Sequence, residues 1–416
     1  MEKKKPEIRF NGFEGEWEIK ELREVAEFAK GKGYAKGDLT KEGIPIIRYG
    51  SLYTDYRTEI NSVSEYVQYS EGAIFSRGGE VIIPASGETS EDIARASAVK
   101  QPNIILGGDL NIIYPNAEID AVFLALEITY GKSHTYLAMK AQGASVVHLR
   151  KLDISTLSPK FPSIPEQEKI GLFLTTLDKL IAKLEAKLDK LRKLKQALLE
   201  KMFTNVNRGG YETPEIRFKG YTDKWQVKEL REVAKLRRGL TYSPDDICND
   251  RKGIRVLRSS NISEDIFLLS EDDVFVKQSA VNIPYIHNYD ILITAANGSS
   301  RLVGKHCIVA DIQSNSCVPG GFMLCASTDS PFFLQASMSS SWYQTFIATY
   351  TLGGNGTIGN LSKTALEKQR FQLPSLSEQQ QIGKCFTQID THFNKTSTKL
   401  TKLRNIKQSL LQKMFA

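Results

Sequence analysis

The chain has 416 residues, 41% hydrophobic and 25% charged, with 55 Lys+Arg against 48 Asp+Glu for a net charge of +7. That balance fits a globular protein with room for two or three domains, and it excludes disordered, collagenous and disulfide-framework classes. The basic excess falls in residues 209–416 (25 basic, 19 acidic) rather than 1–208 (30 and 29), which permits nucleic acid as a partner without establishing it. No apolar run has the length of a membrane span, and Met1–Pro6 is basic without an apolar h-region, so a cytoplasmic protein with no membrane partner is expected. All five cysteines lie in the second half, without C-x-x-C or zinc-finger spacing, and read as reduced packing residues.

In chain order, the sequence opens P-E-I-R-F-N-G-F (Pro6–Phe13), Trp17 and E-L-R-E-V-A (Glu21–Ala26). The same text returns 208 residues later as P-E-I-R-F-K-G-Y (Pro214–Tyr221), Trp225 and E-L-R-E-V-A (Glu229–Ala234). Between about Ala35 and Leu157, short β-branched and aromatic runs alternate with Gly, Ser, Pro and Asn. The runs are Ile44–Tyr49, Ala73–Phe75, Val81–Ile83, Ile104–Leu106, Leu110–Tyr114 and Ser145–Leu149, and they predict a twisted, mainly antiparallel sheet with long loops. One helix is expected near Ile119–Tyr130. The span from Tyr242 to Leu366 has the same grammar: Gly43–Arg48 echoes Gly253–Arg258, and Ala73-Ile74-Phe75 is read as echoing Asp290-Ile291-Leu292.

Each β-rich span leads into a long helix. The two helices repeat at a spacing of 212, from Glu166-Gln167 and Glu378-Gln379 through Ile170-Gly171 and Ile382-Gly383 to Met-Phe at 202–203 and 414–415. Ser163-x-x-Glu166 and Ser375-x-x-Glu378 fit the capping box. In the first helix Leu174, Ile181, Leu188 and Met202 take heptad position a, with Ile170, Leu177, Leu184, Leu191 and Leu198 at d. In the second, Phe386, Phe393, Leu400 and Met414 take a, with Ile382, Ile389, Leu403 and Leu410 at d. Thr396 breaks the d row, and Lys195 and Lys407 break the a row at matching places. Each seam needs a partner, and the other copy is the nearest. The expected fold is therefore α+β: two β-rich domains separated by two long helices in an antiparallel coiled coil, with an internal pseudo-two-fold repeat. The boundaries are 1–157 and 206–366 for the domains, 158–205 and 367–416 for the helices.

No catalytic motif survives its context. Gly131-Lys132-Ser133 and Gly304-Lys305 lack the upstream glycine of a phosphate loop, and the five histidines form no metal-ligand pair. The chain is expected to be no enzyme and to hold neither metal nor cofactor. The strongest pattern is instead that the ends and helices repeat while the β-rich interiors diverge, as a shared scaffold with two different things to recognise would. Loop residues able to reach phosphates or base edges are Arg48, Tyr49, Arg57, Ser76, Arg77, Lys132, Lys140 and Gln142 in the first half. In the second they are Arg258, Ser259, Asn261, Thr294, Asn297, Ser299, Arg301, Lys305 and Asn355. Arg48 and Arg258 occupy equivalent places and suit a framework or phosphate role; Arg77 and Arg301 lie in less similar loops and suit specific readout.

The paired segments Phe161-Pro162-Ser163…Glu166-Gln167 and Leu373-Pro374-Ser375…Glu378-Gln379, Leu177-Asp178 and Ile389-Asp390, and the L-x-x-(L/I)-K-Q-x-L-L-x-K-M-F endings resemble the specificity subunits of type I restriction-modification enzymes. The entry motif at Trp17–Ala26 and Trp225–Ala234 and the run Gly87–Ile93 add to the likeness, which covers the whole chain. The resemblance implies two target-recognition domains that read the halves of a split, asymmetric site in double-stranded DNA, with the helices setting the spacer between them. It also implies two modification subunits, which bind S-adenosylmethionine and methylate adenine, and restriction subunits that translocate and cleave. One added heptad in each helix, about 10.5 Å, would then lengthen the spacer by about three base pairs. Two alternatives stay open: the specificity chain of a system with fused methylase and nuclease, and a duplicated coiled-coil adapter that binds proteins.

Overall fold

The computed structural model describes residues 5–143, 146–203, 213–248, 251–351 and 360–415. The chain folds as two compact units, residues 1–186 with 398–416, and residues 187–397. Each unit combines a β-rich half with the start of one long helix and the end of the other. The long helices run Ile164–Met202 and Leu376–Phe415.

In the first unit a five-stranded sheet has the order Ala26–Lys30, Leu110–Pro115, Glu80–Pro84, Ser97–Val99, Glu59–Ile60. The last pair is parallel and the others antiparallel. A four-stranded sheet has the order Ile105–Leu106, Ile44–Ile47, Tyr66–Val67, Leu39–Thr40, its first pair parallel. The helix Ala121–Tyr130 covers the larger sheet. It is apolar nearly all round and buried from Ala121 to Ile128, as a helix between two layers must be. Asp120 caps it by accepting from the Phe123 N–H at 2.8 Å.

The second unit repeats this plan. Its larger sheet has the order Lys235–Arg238, Met323–Ser327, Ile291–Thr294, His306–Ile308, all antiparallel. Its smaller sheet pairs Ile254–Leu257 with Val274–Val276 antiparallel and with Cys317–Pro319 parallel. The helix Pro331–Met338 takes the covering place, with proline at its first turn.

The expected runs become strands, Ser145 lying outside the described residues, with four differences. The sheets are mainly antiparallel as expected, but Ile44–Ile47, Ile254–Leu257 and Ser97–Val99 each gain one parallel neighbour. Ala73–Phe75 supplies only a single bridge, Phe75 to Ile105. The strand that Asp290 leads into corresponds instead to Glu80–Pro84: Ala85 and Ala295 follow the two strands and make the same backbone bond, to Asp109 and Phe322. A further helix, Lys132–Lys140, follows the expected one after the break at Gly131.

Each core is closed by the end of a long helix. In the first unit Phe123 packs on Trp17 and on Phe415, with ring centroids 5.7 and 5.5 Å apart. In the second, Phe203 packs on Trp225 at 6.3 Å and on Phe333 at 5.9 Å. The P-E-I-R-F entry segments satisfy the last carbonyls of the helices: Ile8 N–H donates to Lys413 O at 3.3 Å and Ile216 N–H to Lys201 O at 3.0 Å. Ile170 and Leu174, and Ile382 and Phe386, are buried in these cores.

Along the coil the seam is thinner. Leu177, Ile181, Leu184, Leu188, Leu191, Leu198, Phe393, Leu403 and Leu410 are half-buried, while Ile389 and Leu400 are buried. Two helices alone cannot cover a seam on all sides. Thr396 is buried and its hydroxyl donates to His392 O at 2.7 Å, so the polar break stays satisfied. The pairing within each unit is antiparallel: Arg192 meets Phe393 and Lys195 meets Asp390 in one, and Asp178 meets Lys407 and Glu185 meets Arg404 in the other.

The glutamate halves of the capping boxes do not form, because the glutamates turn elsewhere, while Ser375 Oγ accepts from the Glu378 N–H at 3.5 Å. Glu166 takes a bidentate pair from Arg9, both bonds 2.7 Å, and Glu378 takes one from Arg217 at 2.9 and 2.7 Å. A buried carboxylate gains more from a guanidinium fork than from one backbone N–H. The fork is held by Arg9 donating to Gly15 O and Arg217 donating to Asp223 O, 208 residues apart.

Candidate nucleic-acid interface

In each unit the larger and smaller sheets meet at a junction of glycines. A Cβ on Gly31 would lie 1.9 Å from Gly107 O, and one on Gly239 would lie 1.8 Å from Gly320 O. Only glycine allows that approach, so the junction recurs in both copies. Hydrogen bonds tie four loop ends together there. In the first unit Gly31 N–H donates to Leu110 O, Gly107 N–H to Ile47 O, Gly108 N–H to Gly33 O and Ala85 N–H to Asp109 O. In the second unit Gly239 N–H donates to Met323 O, Gly320 N–H to Leu257 O, Leu240 N–H to Pro319 O and Ala295 N–H to Phe322 O. Loops of distant sequence are thereby held as one rigid cluster at one end of the sheets.

Arg48 and Arg258 stand at this junction, their Cγ atoms each 3.6 Å from a Cβ placed on Gly107 or Gly320. Arg48 is bound bidentately by Glu65 at 2.9 and 2.6 Å. Arg258 donates to Asp272 O at 2.7 Å. Both guanidiniums therefore organise the junction. Tyr49 follows Arg48, half in solvent and edge-on to Tyr53 at 6.4 Å. Ser259 follows Arg258 and accepts from Asn297 Nδ2 at 2.9 Å, and Asn297 Oδ1 accepts from the Ser299 N–H at 2.9 Å. Ser259, Asn297 and Ser299 are thus brought together, with Arg301 exposed on the turn Ser300–Leu302 that follows.

The other candidates distribute differently. Arg77 is exposed and lies over the Tyr114 ring at 4.1 Å, while its backbone N–H donates to buried Glu80. Burial pushes the Glu80 carboxyl above the usual carboxylate range, against the pull of those N–H donors. Arg57 is exposed and pairs with Asp55 at 2.6 Å. Lys140 stands over the Tyr136 ring at 5.4 Å, and Lys132 begins the same short helix. Gln142 is exposed and bridges His148 through its backbone.

Three expected contact residues face inward. Ser76 is buried, its hydroxyl donating to Gln101 O at 2.7 Å and accepting from the Ile104 N–H. Asn261 is buried, joining Arg258 N–H, Leu268 O and Asp273. Thr294 is wholly buried in the sheet. Ser76 and Asn261 are spent on hydrogen bonds that close their loops, and Thr294 lies on a strand buried at every position. Lys305 is half-buried beside a cleft of about 830 Å³ that Arg301, Lys195 and His306 also line. Asn355 lies outside the described residues.

The junction also contains two cations that sequence reading missed, Lys30 and Arg238, exposed at the strand ends just before Gly31 and Gly239. The signal was present: a cation before glycine recurs at the 208-residue spacing of the entry motif. Among the described residues, no group of three or more His, Cys, Asp and Glu could hold a metal ion, and no helix is long and apolar enough to cross a membrane.

The family model described as the type I restriction modification DNA specificity domain matches residues 14–193 and again 222–405. The putative type I restriction enzyme MjaX specificity subunit of Methanocaldococcus jannaschii is 23% identical over 393 residues, 90% of this chain and 87% of that one. The MjaVIII specificity subunit of the same organism is 21% identical over 266 residues, and the chain spans 59% of its length. The EcoKI specificity subunit of Escherichia coli is 21% identical over 360 residues, covering 81% of this chain and 74% of that one. Among solved structures, the S subunit of a type I restriction-modification system from M. genitalium superposes with a TM-score of 0.64 at 15% identity, covering 99% of both chains. That likeness is one of fold.

Proposed function

Because the chain belongs to the type I restriction-modification DNA specificity family, we propose that its two units read the two halves of a bipartite, asymmetric DNA site. The chain is the non-catalytic specificity subunit of its complex. Its task is to hold two modification subunits over the half-sites; these bind S-adenosylmethionine and methylate adenine, which requires flipping the base from the duplex. Restriction subunits join in the full complex, and the whole acts in the cytoplasm on double-stranded DNA.

One observation supports this reading most directly. The two units share the glycine junction and the Arg–Glu fork down to single hydrogen bonds, yet the exposed loop residues at the junction differ. A shared frame with different exposed side chains suits two different half-sites, whereas a phosphate-only binder has no use for the difference. Arg48 and Arg258 serve as framework beside the backbone, Lys30 and Arg238 as phosphate contacts, and Arg77, Asn297, Ser299 and Arg301 as base-edge candidates.

The test is methylation by the full chain reconstituted with its modification subunits, read by methylome sequencing, with duplex binding measured against salt. The expected result is one bipartite motif with a fixed spacer and a steep fall in affinity with log salt. A complex that methylates nothing and binds duplex without salt dependence would favour the protein-binding adapter.

A further inference from the structure

The junction carries one position at which the two units present opposite chemistry from the same anchored turn. In the first unit the turn is Gly107-Gly108-Asp109-Leu110; in the second it is Gly320-Gly321-Phe322-Met323. Asp109 O accepts from Ala85 N–H at 2.7 Å, and Phe322 O accepts from Ala295 N–H at 2.8 Å and from Ala296 N–H at 3.0 Å. The strand residue after each turn is clamped by Gly31 or Gly239. Both side chains leave this backbone for solvent. Asp109 is exposed, and Phe322 is 74% exposed, the second most exposed of the large apolar side chains among the described residues.

Among the described residues, neither side chain has a polar or ring partner. Of the ring contacts seen among the described residues, none involves Phe322, and Asp109 makes no ion pair among the described residues. An aromatic ring left in water on a rigid turn loses the burial energy that a phenylalanine ordinarily contributes. Asp109 also sits at a φ of 57°, left-handed backbone that aspartate tolerates, and its charge repels phosphate. Beside DNA, such a carboxylate suits only a base-edge donor.

We propose that this turn is a specificity-determining position in each unit. Asp109 accepts a hydrogen bond from an exocyclic amino group, that of cytosine or adenine, in the major groove. Phe322 makes apolar contact with the C5-methyl of a thymine in the other half-site. The assignments follow from what the groove offers: carboxylates accept from amino bases and apolar side chains meet the thymine methyl. The inference rests on the DNA-reading function proposed above.

The experiment uses the full chain with its modification subunits. Wild type, Asp109→Gly and Phe322→Ala are each assayed for methylation of a random-site library, with sequencing of the modified DNA. Glycine at 109 keeps the left-handed backbone available, and alanine at 322 removes an exposed ring, so neither change touches the core. Asp109→Gly is expected to lose about fivefold or more of its preference at one amino-base position in one half-site only. Phe322→Ala is expected to lose a similar factor at one A·T pair in the other half-site. Replacing that thymine by uracil should weaken the wild type and leave Phe322→Ala unchanged. A wild-type bipartite motif retained by both variants overturns this proposal and leaves the DNA-reading function standing. Absence of any motif from wild type removes both.

Discussion

Lys195 of the first long helix lies 2.8 Å from Asp390 of the second, and Lys407 of the second is paired with Asp178 of the first. The lysines are 212 residues apart and so are the aspartates. The cations that break the a row are therefore answered by the aspartates that follow Leu177 and Ile389, once in each unit. The Lys195 side chain is 23% exposed and Asp390 41%, so the pair is neither dry nor fully screened. Burial pushes the Asp390 carboxyl upward, opposed by Lys195, which marks register rather than raw stability as the main use of the pair. Lys195→Met is expected to cost about 1 kcal/mol, with most of it recovered in Lys195→Met/Asp390→Leu. Urea unfolding of the four-member cycle checks this; strictly additive losses would show that the pair does not couple.

The Arg–Glu forks belong to a different regime. The Glu378 side chain is 1% exposed and Arg217 11%, and Trp225 Nε1 also donates to Glu378 at 3.1 Å. Arg217→Met leaves a buried carboxylate with the indole as its remaining side-chain donor among the described residues, and is expected to cost about 3–5 kcal/mol. Arg217→Met/Glu378→Gln should recover at least half of that. Equal unfolding midpoints for the two variants would contradict the assignment.

The two helix glycines make an ordering test. A Cβ on Gly383 would lie 2.9 Å from Phe332 Cβ and from Phe333 N, whereas one on Gly171 would meet Val122 Cγ1 at 3.2 Å. In both helices alanine gains about 1 kcal/mol of propensity. Gly383→Ala is nevertheless expected to destabilise by about 1–3 kcal/mol, because backbone and helix must separate, while Gly171→Ala stays near neutral. Thermal melts of the two variants decide it, and the reverse order would count against the packing argument.

Glu127 gives a pH dependence with a definite sign. Burial lifts its carboxyl from 4.5 to about 7, against the lowering effects of Ser133 and Lys160. The folded state thus holds this proton more tightly than the unfolded one. The fold is favoured below about pH 4.5, loses stability as pH rises towards 7, and stays lower above it. The loss is on the order of 3 kcal/mol. Glu127→Gln is expected to raise the melting temperature at pH 8 and to flatten the profile between pH 5 and 7. An unchanged profile would remove Glu127 as its source.

At the junction, Arg238 and Arg301 should separate by role. Arg238→Ala is expected to lower the slope of log affinity against log salt by about 0.9, one phosphate contact, with the methylation motif intact. Arg301→Ala should relax one position of one half-site by about fivefold or more. A motif change from Arg238→Ala, or none from Arg301→Ala, would reverse the assignment.

Much of the frame was legible from local pattern. The heptads placed both helices, and the repeated Ile-Gly steps fixed their common register, while only the structure shows that each glycine meets a covering helix. What escaped was long-range. Ser163-x-x-Glu166 looked like a local cap because the competing partner, Arg9, lies 157 residues away. Ser76, Asn261 and Thr294 looked like loop contacts because a hydroxyl or amide reads alike in sequence whether it faces water or the interior. Asp109 and Phe322 drew no notice, since an aspartate or a phenylalanine after two glycines is ordinary until its exposure is known.

The sequence by itself determined that one unit occurs twice, that each copy ends in a long amphipathic helix, and that the copies differ between their repeated ends. Those properties are written in spacing and periodicity, which need no third dimension. Only the tertiary structure decided that Phe415, at the end of the second helix, closes the first core over Phe123, while Phe203 closes the second over Phe333. The two endings are nearly the same text, so local propensity cannot choose between cores. The choice falls to the antiparallel pairing within each unit, which brings the end of one helix beside the start of the other.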